Sequence, residues 1–138
     1  MRKIIIINND HSNQQLFEEA CAEQGWSKRS TFIPDVTSAL NYFREESRFI
    51  QADVDRSLII LNVAAGSVKA TDFILKLKKN SRLKCIPLVV LGDTNDIKEV
   101  DDIIVMGANS YFKNPEERVS RQKLIRMILN FWSNEWVR

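Results

Sequence analysis

Residues 57–62, SLIILN, decide the fold of this 138-residue chain. Four consecutive aliphatic residues predict a short strand buried on both faces, because a half-buried strand would alternate apolar and polar residues. Such strands occupy the middle of a parallel sheet. The residue at the carboxyl tip of a central parallel strand faces the crevice where open α/β sheets bind ligands. That residue is Asn62, so the chemistry of an amide limits what this crevice does.

The composition predicts one domain with a substantial core, since 44% of the residues are hydrophobic. The net charge of +2 is scattered and forms no basic stripe for nucleic acid. The apolar run in MRKIIII is too short for a signal peptide or a membrane span. Cys21 and Cys85 form no metal or redox motif, which favours a reduced, cytoplasmic setting. We expect both cysteines to be buried as small apolar side chains.

Strand and helix patterns alternate along the chain. Strands are predicted at 3–7, 30–33, 57–62, 86–91 and 109–112, with a polar loop at 49–56. Ser12 and Gln15 fit a capping box that opens the first helix. Gly107 is placed to end the fourth helix in the left-handed conformation. The helical stripes are Leu16, Phe17, Ala20, Cys21; Val36, Ala39, Leu40, Phe43; Phe73, Ile74, Leu77; Ile97, Val100, Ile103, Ile104; and Leu124, Ile125, Ile128, Leu129, Trp132, Trp136.

Five strands alternating with five helices predict a doubly wound five-stranded parallel sheet with helices on both faces. This is a three-layer α/β/α, flavodoxin-like architecture. No repeat or linker divides the sequence, so we expect one domain over residues 1–138 without an output domain.

Three segments carry a resemblance to a known family. They are SLIILN at 57–62, FILKLKKNSRLKCIPLVVLG at 73–92 and MGANSYFKNP at 106–115. Together they resemble the receiver domain of bacterial response regulators, and especially small single-domain regulators. The resemblance implies the receiver (βα)5 fold and a role in two-component signal transduction or a phosphorelay.

The resemblance also places the phosphorylation site of the family on this sequence. Receivers use two acidic residues and an acceptor aspartate to hold Mg²⁺, and a hydroxyl and a lysine to contact the phosphoryl oxygens. The acidic pair falls on Asn8 and Asn9, the acceptor on Asn62, the hydroxyl on Gly92 and the lysine on Asn114. All five functional side chains are therefore replaced.

These replacements predict a pseudo-receiver that is not an enzyme and needs no cofactor or metal. An amide nitrogen has no available lone pair, so Asn62 cannot form an acyl phosphate. Without carboxylates or lysine, we expect a neutral hydrogen-bonded cluster. Two alternatives remain at this stage: the amides serve only as caps at strand ends, or Asp10 and Asp93 hold a displaced, weakly bound cation.

The end of the chain carries the candidate interaction surface. Tyr111 matches an aromatic position that many receivers use to report activation, and without a phosphoryl trigger it is interpreted as a surface contact residue. Met127 and Phe131 lie off the core stripe of the last helix, and Trp132 and Trp136 extend its apolar face. Such widening is typical of interfaces. It predicts a protein partner, such as a histidine kinase or another signalling protein, or a homodimer through the last strand and helix.

Two functions from different classes follow. The favoured one is a phosphorylation-independent adaptor module that acts through protein contacts. The alternative is a sensor whose neutral crevice binds a small ligand, although no glycine-rich phosphate loop supports it. A conventional phosphorylated switch lacks the required side chains, and an unrelated enzyme lacks a nucleophile and base.

Overall fold

The computed structural model describes residues 3–45, 57–62 and 68–137, and their side chains at 3–44, 57–62 and 70–132. Five strands and five α-helices alternate along these residues. The strands are β1 Lys3–Asn8, β2 Ser30–Ile33, β3 Ser57–Asn62, β4 Leu88–Gly92 and β5 Ser110–Lys113. The helices are α1 His11–Glu23, α2 Val36–Glu45, α3 Val68–Lys79, α4 Ile97–Met106 and α5 Arg118–Val137. The predicted loop at 49–56 lies outside the described residues.

The strands form one parallel sheet in the order β2-β1-β3-β4-β5. This order confirms the predicted doubly wound, flavodoxin-like sheet. The segment 57–62 is β3, and all six of its residues are buried. Its central position follows from its sequence, since only a strand covered on both faces buries four consecutive aliphatic side chains.

Two apolar cores fill the space on either side of the sheet. Alternate residues of each strand point to opposite faces, so Ile4, Ile6 and Ile60 face α1 and α5. Ile5 and Ile59 face the layer made by α2, α3 and α4. The three layers predicted from the sequence are therefore present.

Helix α1 begins two residues earlier than the predicted capping box. Asp10 is the N-cap, and its Oδ1 accepts hydrogen bonds from the Ser12 backbone N–H (2.9 Å) and the Ser12 hydroxyl (2.7 Å). The assignment of Ser12 as the cap was wrong because Asp10, an extended residue two positions earlier, already accepts the free Ser12 N–H with its carboxylate. The earlier start places Asn13 in the first turn of the helix.

Helix α4 ends at the predicted residue, but fewer residues of its predicted apolar stripe are buried. Gly107 has a φ of +133° and donates its N–H back to the last turn, which confirms the glycine cap. Ile103 is buried, but Ile97 is 78% exposed and Ile104 is also exposed. The predicted four-residue core stripe was wrong because α4 packs on α3 and β5 at the edge of the sheet, where one row of side chains meets the core.

The two cysteines differ in environment. Cys21 lies in the core between α1 and the sheet, and burial raises the pKa of its thiol to about 11. Cys85 is exposed in the turn after α3, so the expectation that both are buried was wrong for this residue. In this turn Lys84 and Cys85 are exposed, and the next residue, Ile86, is the one that enters the core.

Candidate functional site

Asn8 and Asn62 lie side by side at the carboxyl ends of two adjacent central strands. They are paired in the register of β1 and β3, and both are at least 94% buried. Each shares the face of its strand with the residues that contact α1 and α5. The Asn62 side-chain N–H donates to Asn8 Oδ1 over 2.8 Å.

Asn114 extends this contact from the other side. Just after β5, the Asn114 backbone N–H donates to the Gly92 carbonyl over 2.8 Å, which keeps this residue beside the end of β4. The Asn114 side-chain N–H then donates to Asn62 Oδ1 over 2.7 Å. At the far end, Asn8 donates to the Asp10 carbonyl (2.8 Å) and accepts from the Asp10 backbone N–H (3.2 Å). We call Asn114, Asn62 and Asn8 the amide row; its hydrogen bonds all run in one direction.

The amide row borders a cavity of about 160 Å³, which we call the amide crevice. It brings together four of the five positions predicted from the resemblance, Asn9, Asn62, Gly92 and Asn114, and also Asp10 and Asp93. The fifth, Asn8, does not line this cavity; it lines a neighbouring groove. The full lining is Asn9, Asp10, Asn13, Asn62, Gly92, Asp93 and Asn114. None of these residues is basic.

The carboxylates of Asp10 and Asp93 lie on the rim of the amide crevice, and both residues are exposed. The Ser12 hydroxyl bonded to Asp10 lowers the pKa of its carboxyl, and Arg121 and His11 act in the same direction. Asp10 is thus an ionised helix cap. Within residues 3–45, 57–62 and 68–137, no group of three or more acidic, histidine or cysteine side chains is arranged to hold a metal ion.

Asn13 is a member of the site that the sequence interpretation missed. Its side chain is 4% exposed, and its Oδ1 has no hydrogen-bond partner. A buried acceptor without a donor is rare and costs about 1–3 kcal/mol. Asp10 could have revealed it in the sequence. If Asp10 is taken as the helix cap, Asn13, three positions later, falls on the inner side of the first turn.

Tyr111 is turned inward from β5. Its hydroxyl donates to the Thr94 carbonyl over 2.7 Å and accepts from the Thr94 backbone N–H over 3.1 Å. The ring packs against the core below α4, and burial raises the pKa of the phenol. Tyr111 therefore fixes the loop between β4 and α4. Its predicted role as an interface residue stays a prediction.

Two charged or titratable residues near these strand ends, Lys113 and His11, do not line the amide crevice. Lys113, the last residue of β5, is exposed, whereas the side chain of the next residue, Asn114, reaches Asn62; neighbours in an extended chain point to opposite sides. His11 lines a separate groove between the ends of β1 and β2, together with Gln14 and Asp35.

Three of the predicted interaction residues, Met127, Phe131 and Trp132, border an apolar groove of about 390 Å³ between the edge strand β5 and α5, and Tyr111 does not. Met127 and Phe131 are 51% and 55% exposed, and Trp132 is partly buried. We call the surface formed by Phe112, Met127, Phe131 and Trp132 the β5–α5 face. The side chain of Trp136 lies outside the described residues.

The arrangement at the crevice offers hydrogen bonding and no reactive group. Both functional atoms of the Asn62 amide are engaged within the amide row. Gly92 offers only backbone where a hydroxyl would be needed. Among the described residues the site therefore combines neutral amides with two rim carboxylates.

Comparison with solved structures defines the class of protein. A response regulator receiver domain from Rhodospirillum rubrum superposes with a TM-score of 0.81, with 25% identity, 96% of this chain and 94% of the other covered. The phosphorylated cyanobacterial phytochrome response regulator RcpA gives a TM-score of 0.79 at 22% identity, with 94% and 92% covered. The chain thus has the fold of response regulator receiver domains over nearly its whole length, and the resemblance found in the sequence is confirmed.

Sequence relatives are more distant. The chain is 22% identical over 132 residues to the probable methanogenesis regulatory protein FilR2 of Methanothrix harundinacea, covering 94% of this chain and 82% of that protein. No protein-family model matches the chain. The receiver fold supports a role in two-component signalling, and the receivers it matches are signalling modules.

In the described parts of the chain, no helix combines the length and the apolar character that crossing a membrane requires.

Proposed function

We propose that this domain is a phosphorylation-independent pseudo-receiver that acts as a protein-interaction module in two-component-type signalling. The observation that carries the proposal is the amide row, in which the residue at the acceptor position is held by neutral hydrogen bonds on both sides. A cytoplasmic setting, favoured by two free cysteines, is part of the proposal.

Loss of phosphorylation follows from the chemistry of the amide row. Attack on phosphorus requires an anionic oxygen, and the Asn62 carbonyl is neutral and already accepts a hydrogen bond from the Asn114 side-chain N–H. Mg²⁺ requires oxygen ligands in a near-octahedral arrangement, with carboxylates neutralising its charge. Asn8 and Asn9 stand at the positions of the family's two acidic residues, and both carry neutral amides in place of carboxylates.

A fixed conformation supports a role based on shape. Tyr111 holds Thr94 by two hydrogen bonds and closes the loop above β4. Gly92 supplies no hydroxyl that could move toward a ligand and pull this loop with it. The domain therefore presents one surface at α4 and β5 rather than switching between two.

The β5–α5 face is the proposed contact surface. Its exposed side chains, Met127 and Phe131, are large and apolar, and they border a groove that continues under Trp132. Methionine and aromatic residues are enriched in the centres of protein interfaces. The partner is a histidine kinase, another signalling protein or a second copy of the chain.

A phosphodonor experiment tests the absence of phosphorylation. The intact mass is measured after incubation with acetyl phosphate and Mg²⁺, and we expect it to be unchanged. The variant Asn62→Asp is the matched comparison, and it too should gain little phosphate because Asn8 and Asn9 leave the metal unsupported. A stable phosphoryl group on the unaltered chain, or rapid Mg²⁺-dependent labelling of that single variant, contradicts the proposal.

A pair of surface variants tests the contact surface. Phe131→Ser should reduce partner recovery from the native host, or lower the mass of the particle in light scattering if the partner is a second copy. Leu75→Ser is the control, because Leu75 is an exposed apolar residue on α3 at the opposite face of the sheet. Equal recovery and equal particle mass for both variants would exclude the β5–α5 face.

A further inference from the structure

Helix α4 carries apolar side chains that the fold leaves exposed to solvent. Ile97 and Val105 are 78% and 85% exposed. Asp101 lies midway between them and is also exposed. Because residues four apart in a helix lie on the same side, these three residues form a line along α4, which we call the α4 row. Among the described residues, Asp101 forms no ion pair.

Helix α5 carries a line of residues with the same spacing and the opposite charge. Val119, Lys123 and Met127 follow one another at intervals of four residues, and all three are exposed. We call them the α5 row. Arg126, also on α5, is paired with Glu23 of α1. In the part of the chain that the structure describes, Lys123 has no such carboxylate partner.

The two rows are complementary in charge and in spacing. Each row places one charged residue between two apolar residues, four positions away on either side. An ion pair between Asp101 and Lys123 therefore brings apolar side chains together at both ends, whether the helices run parallel or antiparallel. The surrounding charges agree with this pairing, since residues 97–106 contain three acidic residues and one lysine, and residues 118–132 contain four basic residues and no acidic one.

The rows of one molecule cannot meet each other. The buried side of α4 belongs to the core on one face of the sheet, and the buried side of α5 belongs to the core on the other face. The rows point away from these cores, because their apolar residues are exposed. A second copy of the chain supplies a matching row for each of them.

The edge of the sheet allows both rows to be used at once. β5 is the last strand of the sheet, and α4 and α5 pack on its two faces. A second copy rotated by 180° beside this edge would place its α5 against α4 of the first copy, and its α4 against α5 of the first. Such a two-fold arrangement makes the same contact twice and closes. The apolar groove of about 390 Å³ beside Met127 and Phe131 offers space for an apolar side chain of α4.

We propose that the partner of the β5–α5 face is a second copy of this chain, with the α4 row of each copy bound to the α5 row of the other. Two ion pairs between Asp101 and Lys123 fix the register of the dimer. This inference rests on the proposed contact surface and identifies its partner. It does not depend on the outcome of the phosphodonor experiment.

Light scattering over a series of protein concentrations tests the dimer. The particle mass of the unaltered protein should approach twice the 16.0 kDa of one chain as the concentration rises. Sodium chloride at about 0.5 M should raise the dissociation constant severalfold, because salt screens ion pairs that are exposed in the separate molecules.

Charge reversal tests the assigned contact. Asp101→Lys or Lys123→Asp sets like charges against each other twice in each dimer, and each should raise the dissociation constant about tenfold or more. An equimolar mixture of the two variants restores opposite charges at both contacts and should dimerise like the unaltered protein, which also shows that both variants fold. Asp102→Lys is the control, because Asp102 is an exposed residue of α4 outside the row and the change in charge is the same.

Four outcomes overturn the proposal. They are the mass of one chain at every concentration up to about 1 mM, a dimer that Asp101→Lys does not weaken, equal weakening by Asp102→Lys, and a mixture of the two variants that stays dissociated. The first outcome leaves the proposed function standing, since the β5–α5 face then binds a different protein. A phosphorylated chain would refute the proposed function and leave the dimer untouched, so the two failures are distinguishable.

Discussion

Replacing Asn62 by aspartate should destabilise the domain, although it restores the residue that ordinary receivers carry. The Asn62 N–H that donates to Asn8 over 2.8 Å is lost, and a carboxylate oxygen then faces the Asn8 carbonyl oxygen. Asn8 cannot simply rotate its amide, because both of its functional atoms are bonded to the Asp10 backbone. The variant therefore places two acceptors against each other in a buried site.

The size of the effect follows from these contacts. Loss of the hydrogen bond costs about 1 kcal/mol, and the buried acceptor left facing another acceptor adds about 1–3 kcal/mol. The remaining hydrogen bond from Asn114 becomes charge-assisted and returns about 1 kcal/mol. Desolvation of the new charge adds to the cost, so we expect a net loss of about 2–4 kcal/mol near neutral pH. With a urea m-value of about 2 kcal/mol/M, the midpoint falls by about 1–2 M.

The effect should depend on pH with a definite sign. Burial raises the pKa of the introduced carboxyl above its unfolded value of about 3.9. Below about pH 3.9 the introduced carboxyl is protonated and can donate to Asn8, so the variant approaches the stability of the unaltered protein. Stability is then lost as the pH rises through the folded pKa.

Urea titrations at pH 4 and pH 7, followed by tryptophan fluorescence, measure this difference. Asn109→Asp is the matched control, because Asn109 is an exposed residue whose oxygen accepts the Leu88 N–H over 2.9 Å, a contact that a carboxylate can keep. Equal midpoints for the unaltered protein and Asn62→Asp at pH 7 would refute the reasoning, as would a loss that is the same at both pH values.

Three further predictions concern other parts of the fold. Tyr111→Phe removes two hydrogen bonds and should lower the free energy of unfolding by about 1–2 kcal/mol. Because the pKa of the Tyr111 phenol is raised in the folded protein, the stability that the phenol contributes should be lost as the pH rises above about 10. Calorimetry across that range should therefore show a shallower decline of stability in the variant than in the unaltered protein. Gly107→Ala should lower the free energy of unfolding in urea by about 1–3 kcal/mol, since φ is +133° and the new Cβ would lie 2.6 Å from the stem of Lys78 in α3. Gly25→Ala is the control and should cost less, because φ is +74° and no atom lies within 4 Å of the new Cβ. Iodoacetamide should label the native protein at exposed Cys85 and reach buried Cys21 only after denaturation, so peptide mapping that finds both labelled in the native state contradicts the assigned burial.

The doubly wound parallel sheet and its three layers could be predicted because they depend on patterns that survive in a single sequence. The aliphatic run at 57–62 requires burial on both faces, and alternation of strands with helices leaves few arrangements. The meeting of Asn62 with Asn114 was also predictable from the resemblance, since Asn62 ends β3 and Asn114 follows β5 at the same edge of the sheet. Gly107 was predictable because a left-handed helix end strongly favours glycine.

The misses arise where several residues compete for one role. Asp10 and Ser12 are both good caps, and only three-dimensional placement decides between them, so Asn13 was not connected with the crevice. Ile97 and Ile104 have helical spacing, but the sequence does not tell how much surface the edge of a sheet offers. The inward turn of Tyr111 depends on Thr94, seventeen residues earlier in the chain, a contact that no local pattern encodes.

The one-way direction of the amide row also bears on how such a site evolves. Because Asn8 is clamped by its own loop, each amide dictates the orientation of the next. Restoring a single carboxylate brings like atoms together, and gain of function would require several substitutions at once. Each single substitution to a carboxylate would then lower stability and be selected against. Descendants of this protein are therefore expected to keep their amides or replace them with other uncharged residues.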